Sequence, residues 1–194
     1  MNEILRNIST RRSIRSYEED QISDNDLNSI LEAARYAPSG GNSQSWHFTV
    51  IQNKEKLQTL NILVKESFKN LVVDEKTYRS KKSGKEASEN ENYSFYYNAP
   101  TLIIVSNYRD YPNAMADCSA SLQNIFLASH SLGLGSCWIN QLTWFGDDSN
   151  IRKELTDLGI PENHSVCGSA VIGCIKGAVP TPSPRKENTI TFIK

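Results

Sequence analysis

Apolar side chains recur at the three- and four-residue spacing of amphipathic helices in four parts of the chain. The first of these helices is expected to begin at Ser23, because Asp26 completes a capping pattern three residues later, and to be stopped by Pro38. The other three are predicted over residues 57–71, over 115–129 with a stop at Gly133, and over 151–158 with a stop at Gly159.

Four further segments, 46–51, 101–105, 136–140 and 166–174, have the composition of β-strands. Residues 101–105 form a continuous apolar run, which is typical of a strand buried on both faces. Residues 189–193 alternate like a strand, but they follow an arm that contains Pro180, Pro182 and Pro184. An extended arm of this length is expected to reach a neighbouring subunit. Strands separated by helices predict an α/β or α+β sandwich.

The length of 194 residues predicts a single domain over 1–194. Two segments depart from the pattern of the rest. A polar excursion at about 74–98 is expected to lie on the surface, in the position of a lid, and a C-terminal arm occupies about 178–194. The hydrophobic fraction of 38% is low for this length, which together with the arm favours one half of a dimer.

Charge and cysteine usage exclude several functional classes. The 21 Lys and Arg residues nearly balance the 22 Asp and Glu residues, so a nucleic acid is not expected as the main partner. No apolar run reaches the roughly 18 residues of a membrane span, so no membrane partner is predicted. Four scattered cysteines without a CxxC pair indicate free thiols in a reducing compartment, which predicts a cytoplasmic protein.

Common catalytic motifs do not account for the chain. His47, His130 and His164 are far apart and lack metal-ligand spacing, so no metal site is predicted. The pair Gly133 and Gly135 follows a predicted helix and precedes a predicted strand, which is the reverse of a dinucleotide-binding loop and indicates a helix C-cap. A GxSxG elbow is also missing, so a hydrolase triad is not indicated.

Two segments carry candidate binding chemistry. In the run from Arg11 to Arg15, alternate residues share one side if the chain is extended, and two guanidiniums and a hydroxyl suit a phosphate and electron-rich carbonyl oxygens. The loop over 37–46 offers backbone amides and the side chains of Ser39, Asn42 and Gln44 to a planar heterocycle with imide edges. Taken singly, each segment is equally compatible with a solvated basic turn or a plain loop.

Taken together, five segments in order resemble the nitroreductase-like FMN-dependent oxidoreductases. They are RRSIRSY near the start, APSGGNSQSWHF after the first capped helix, NAPTLIIV at the second strand, DCSASLQNIFLASHSLGLGSCWI across the long helix, and a late PRK. The resemblance covers nearly the whole chain. It implies an α+β, three-layer α-β-α sandwich with a mixed central sheet wrapped by helices, a homodimer with FMN at the subunit interface, and NAD(P)H as reductant.

The resemblance also implies positions for the cofactor-binding residues. It implies a basic flavin-binding segment at Arg11, Arg12, Ser13 and Arg15, and a late phosphate-contacting arginine with a neighbouring lysine at Arg185 and Lys186. It implies a loop against the isoalloxazine and ribityl groups at Pro38, Ser39, Asn42 and Gln44. It also implies a strand end near flavin N5 at Trp138, Ile139, Asn140 and Gln141, and a helical amide at Asn70. In the family, the loop comes partly from the partner chain.

The implied activity is a ping-pong hydride transfer on FMN from NAD(P)H to a small planar acceptor, such as a nitroaromatic or a quinone. No catalytic side chain is expected beyond Arg15, which would stabilise the charge of the reduced flavin. Ser45 stands where proline is usual, and Asn140 with Gln141 replaces a Glu-Gly pair of some members, so the substrate stays open. Flavin or enoate reduction, dehalogenation, dehydrogenation of a small metabolite and a redox module without turnover are the alternatives.

Overall fold

The computed structural model describes residues 1–187 and 189–194. Seven helices and four strands are found there: α1 (Glu3–Thr10), α2 (Asp24–Arg35), β1 (His47–Ile51), α3 (Lys54–Asn70), α4 (Arg79–Ser88), β2 (Thr101–Tyr108), α5 (Ala114–Ser131), β3 (Gly135–Ile139), α6 (Gln141–Phe145), α7 (Ser149–Asp157) and β4 (His164–Gly173). The four predicted helices and the four predicted strands of the sheet are all confirmed to within a few residues.

The four strands form one sheet in the order β1-β2-β4-β3, and every neighbouring pair is antiparallel. The resemblance implied a mixed sheet. Within the described residues the parallel contribution is a single isolated bridge between Ser13 and Ser136, where the Ile14 N–H donates to the Ser136 carbonyl at 3.0 Å. The Arg11–Arg15 segment is therefore held against the outer edge of β3.

Helices cover both faces of the sheet, which confirms the three-layer α-β-α sandwich. On one face, Ile103, Val105 and Ile172 pack with buried residues of α2 and α5. On the other face, Leu102, Ile104 and Val171 pack with α3, α6 and α7. The central strands β2 and β4 are buried on both sides, as the continuous apolar run predicted. None of the helices in the described ranges is both long and apolar enough to cross a membrane.

The capping residues behave as their sequence positions predict. The Ser23 side chain accepts the Asp26 N–H at 3.1 Å and starts α2. At the end of α5, the Leu134 N–H donates to the Ser129 carbonyl at 2.9 Å, and Gly133 takes a φ of +75°. The Gly133–Gly135 turn is thus a helix C-cap that leads into β3.

Two segments differ from the sequence predictions. The excursion at 74–98 contains α4 and two buried aromatics, Phe95 and Tyr96, so it is packed on the core rather than wholly polar. The predicted strand at 189–193 forms no strand among the described residues; Asn188, in the arm at 178–194, lies outside them. Ile190 and Phe192 are 73% and 78% exposed, so their side chains pack against little of the described chain.

A buried histidine makes stability depend on pH. His164 is 4% exposed and its ring lies 3.3 Å from the Ser106 hydroxyl. Burial, followed by the charges of His47 and Arg152, lowers the pKa of His164. The ring therefore binds a proton less readily in the folded chain than in the unfolded chain, where its ordinary pKa is about 6.5.

We expect the free energy of unfolding to fall as the pH is lowered from 7.5 to 5.5, because the unfolded state then binds more protons. His164→Gln should flatten this dependence by less than about 1.4 kcal/mol per pH unit, the limit for a single proton. Urea titrations across this range measure the slope. The pKa of His130 is also lowered, by burial and by Arg11 and Arg12, so His130→Gln should flatten the dependence as well. An unchanged slope in the His164 variant would contradict the assignment.

Candidate functional site

A cleft of about 720 Å³ opens between the α4 segment and the end of β3. Its walls combine aromatic rings, amides and two guanidiniums. The lining residues are Arg15, Arg79, Ser80, Ser83, Gly84, Ala87, Tyr93, Ser94, Tyr97, Trp138, Ile139, Asn140, Gln141 and Trp144. Such a cleft suits a flat ligand that carries negative charge or hydrogen-bond acceptors.

The Arg11–Arg15 segment runs along the edge of β3 through the bridge between Ser13 and Ser136, and the Arg11 guanidinium lies 5.9 Å from the centre of the Phe126 ring. Arg11, Ser13 and Arg15 all lie near the thiol of Cys137 on β3. The Arg15 guanidinium is also 5.9 Å from the centre of the Tyr97 ring, which places it in the cleft. Arg12 turns away, and its Nη1 donates to the Ser9 carbonyl at 3.0 Å.

Positive charges are concentrated next to the cleft. The pKa of Arg11 is lowered, first by burial and then by the positive charges of Arg12 and Arg185. The Cys137 thiol acts in the opposite direction but does not outweigh them. For Arg15, burial acts to lower the pKa, but Cys137 and Tyr97 raise it overall. Of the described residues, no carboxylate contributes to either shift. Like charges held together in this way favour the binding of an anion.

The outer edge of β3 supplies backbone groups beside these charges. Ser136 directs its carbonyl outward to Ile14, and backbone polar groups alternate between the two edges of a strand, so those of Trp138 also point outward. The Trp138 indole N–H donates to the Asn140 side chain at 2.6 Å, which fixes both side chains. Gln141 in turn donates to the Tyr93 hydroxyl at 3.3 Å and joins the strand end to the opposite wall.

The loop over 38–45 is held in an unusual conformation. Asn42 and Gln44 have φ values of +56° and +48°, and the Gln44 N–H donates to the Ser39 hydroxyl at 3.0 Å. The anchor is Asp117, a 5% exposed carboxylate on α5 that accepts the Gly40 N–H at 3.1 Å and the Tyr111 hydroxyl at 3.0 Å. The loop is therefore built to present its amides in a fixed arrangement.

The structure brings only part of the predicted site together within one chain. Arg15, Trp138, Ile139 and Asn140 line the cleft, and Arg11 and Ser13 lie beside it, with the charge of Arg185 reaching Arg11. The loop residues Pro38, Ser39, Asn42 and Gln44 are not among those that line it. Asn70 ends α3 and lines a separate depression with Asp148 and Asn150. Lys186 is exposed on the arm.

The sequence predicted a lid at about 74–98 but did not identify the α4 residues, Tyr93 and Tyr97 as the wall of the cleft, and the Asp117 anchor was missed. The signal for the wall is the run Tyr-Ser-Phe-Tyr-Tyr at 93–97, an aromatic cluster inside a polar segment. Such a cluster predicts packing rather than a solvated loop. The Asp117 anchor has no comparable signal, because it acts on a loop more than seventy residues earlier in the chain.

Comparisons with known proteins agree with this architecture. The pattern of the Nitroreductase family matches residues 8–174. A protein from Archaeoglobus fulgidus, described as a putative NADH dehydrogenase/NAD(P)H nitroreductase, is 35% identical over 181 residues, covering 89% of this chain and 86% of its own.

Solved structures of nitroreductases are also similar to this chain. A nitroreductase with bound FMN from Bacteroides fragilis is 43% identical with a TM-score of 0.89, over 100% of both chains. Another with bound FMN, from Desulfitobacterium hafniense, is 28% identical with a TM-score of 0.84, again over 100% of both chains. With the fold, the family pattern and this coverage in agreement, the chain belongs to the nitroreductase family.

Proposed function

We propose that this protein is an FMN-dependent oxidoreductase that uses NADH or NADPH to reduce small planar electrophiles, such as nitroaromatics or quinones. The observation that carries the proposal is the group of arginines beside an aromatic cleft, for which no carboxylate partner is found among the described residues. The similarity to nitroreductases with bound FMN supports the choice of cofactor.

The hydrogen-bond donors and positive charges at the cleft fit FMN. Arg11 and Arg185 form the part of the cationic group suited to the phosphate, since guanidiniums bind phosphates with short, charge-assisted hydrogen bonds. Arg15 and the outward backbone of Trp138 lie where the polar edge of a ring system could be held. When bound, FMN supplies the centre that accepts a hydride from NAD(P)H and passes it to the acceptor.

The residues of the chain then position the bound cofactor, neutralise its charge and exclude water from it. Arg15, held beside Tyr97, places a permanent positive charge next to the ring and stabilises negative charge that develops there. Burial raises the pKa of Tyr93 to about 12, so its hydroxyl stays protonated at neutral pH. Reduction of a nitro group to a nitroso group consumes one NAD(P)H and one proton and releases water. We propose that the proton comes from solvent and that one open cleft serves both substrates in turn.

We propose that the active form is a homodimer. The described chain exposes 11890 Å², whereas a globular monomer of 21.8 kDa is expected to expose about 9,300 Å². Several apolar side chains are exposed, namely Ile4 and Leu5 on α1 and Ile190, Phe192 and Ile193 on the arm. A partner would bury these residues and bring its own loop at 38–45 towards the cleft.

The cytoplasmic location indicated by the cysteines belongs to the same proposal, since the cytoplasm supplies reduced nicotinamides.

The test is an anaerobic titration of the FMN-loaded protein with NADH and with NADPH. We expect the visible flavin absorbance to bleach with at least one of them and to return when a nitroaromatic or a quinone is added. Free FMN with unfolded protein is the control. Retained yellow colour without bleaching would instead favour a flavin-binding module without turnover and would refute the proposed reaction.

A further inference from the structure

The wall of the cleft formed by α4 is cationic, and nothing in the proposed use of FMN requires its charge. The residues of α4 that line the cleft are spaced at 79, 80, 83, 84 and 87, which is one face of a helix. That face presents one guanidinium, Arg79, with the hydroxyls of Ser80 and Ser83 beside it. All three are exposed and open to a ligand.

The other basic residues of α4 fasten the helix in place. The Lys85 ammonium donates to the Leu71 carbonyl at 2.6 Å and to the Lys69 carbonyl at 3.1 Å, which ties α4 to the end of α3. Lys81 lies 5.8 Å from the centre of the Trp144 ring. Gly84 allows the close approach, because a Cβ there would meet the Phe68 ring at 2.6 Å. Arg79 is thus held over the cleft by a helix that is well anchored.

The charge of Arg79 is not neutralised within the described residues. No carboxylate lies within 4 Å of it there, and the cleft lining contains no acidic residue. The rings of Tyr93, Tyr97 and Trp144 provide apolar walls for a flat body. A ligand that fits both features is a planar ring that carries an anionic group.

We propose that Arg79, with Ser80 and Ser83, makes this enzyme selective for aromatic electron acceptors that carry a carboxylate, sulfonate or phosphate group. This inference rests on the proposed function, since the acceptor occupies the same cleft. The anion lies against α4, and the reducible group of the ring points towards β3. The 2′-phosphate of NADPH is a second source of such an anion, and the experiment separates the two.

The experiment compares 4-nitrobenzoate with its uncharged methyl ester in the FMN-loaded protein. Arg79→Gln should lower kcat/KM for 4-nitrobenzoate by about 3- to 10-fold, mainly through KM, and change that for the ester less than 2-fold, as expected for an exposed charge contact. The loss should shrink in 1 M salt, where charges are screened within about 3 Å. Arg79→Lys should restore most of the preference, and Lys76→Gln, the same change of charge outside the cleft, should have no effect.

A binding measurement separates this inference from the proposed reaction. Benzoate, which is not reducible, should quench the tryptophan fluorescence of the loaded protein and bind about 3- to 10-fold more weakly to Arg79→Gln. Failure of NAD(P)H to bleach FMN would refute the proposed function alone, because benzoate binding can be measured without turnover. Equal effects on the acid and the ester, or no effect on either, would overturn the selectivity. If Arg79→Gln raises KM for NADPH but not for NADH and leaves the acceptor preference unchanged, Arg79 binds the 2′-phosphate of NADPH. That result would overturn the proposed selectivity for anionic acceptors.

Discussion

Replacing Arg11 by alanine is expected to weaken FMN binding by about 10- to 100-fold, which corresponds to about 1.5–3 kcal/mol for a lost hydrogen bond to a charged group. Arg11 is half-buried, its pKa is lowered by burial and by the charges of Arg12 and Arg185, and it lies beside the cleft rather than in it. This position suits the cofactor phosphate better than the ring. Titration of the apoprotein with FMN, followed by flavin fluorescence, measures the affinity.

The matched control for this prediction is Arg35→Ala. Arg35 is an exposed arginine at the end of α2, where it pairs with Glu32 on the surface. Its removal changes the net charge equally and should leave FMN affinity within 2-fold, since surface pairs contribute little. If Arg11→Ala binds FMN as tightly as the wild type does, Arg11 has no part in the site. If both variants lose affinity equally, the effect comes from net charge.

Asp117→Ala is expected to destabilise the fold by about 2–4 kcal/mol and to reduce FMN affinity at the same time. The buried carboxylate accepts hydrogen bonds from the Gly40 N–H and the Tyr111 hydroxyl, and its removal deprives the half-buried Gly40 N–H of this acceptor. The loop then loses the anchor that holds Ser39, Asn42 and Gln44. Urea unfolding measures stability, and FMN titration at a temperature where the variant is folded measures the loop.

Two further variants separate the anchor from general damage. Tyr111→Phe removes only the hydroxyl that contacts Asp117 and the Gly40 carbonyl, so it should cost about 1 kcal/mol and leave the loop in place. Asp117→Asn keeps one acceptor oxygen and should lie between wild type and alanine. A folded Asp117→Ala variant with unchanged FMN affinity would contradict the proposed role of the loop.

Sequence patterns predicted the sandwich because its elements are encoded locally. The Ser23 cap, the Gly133 turn and the apolar run at 101–105 each depend on residues within a few positions of one another. The extended arginine segment was predicted for the same reason, since alternation along a strand is a local property. Arg79 and Tyr97, which line the cleft, belong to a segment whose charge suggested a solvated surface.

The sequence by itself determined the three-layer fold, the membership of a flavin-binding family and the positions of the arginine segment and the loop. Only the tertiary structure decided that Arg11, Ser13 and Arg15 face Cys137 on the edge of β3. It also decided that α4 closes the cleft with a cationic face and that Asp117 anchors the loop. The physical reason is that these contacts join residues far apart in the chain, and their geometry is set by packing of the layers rather than by any local pattern.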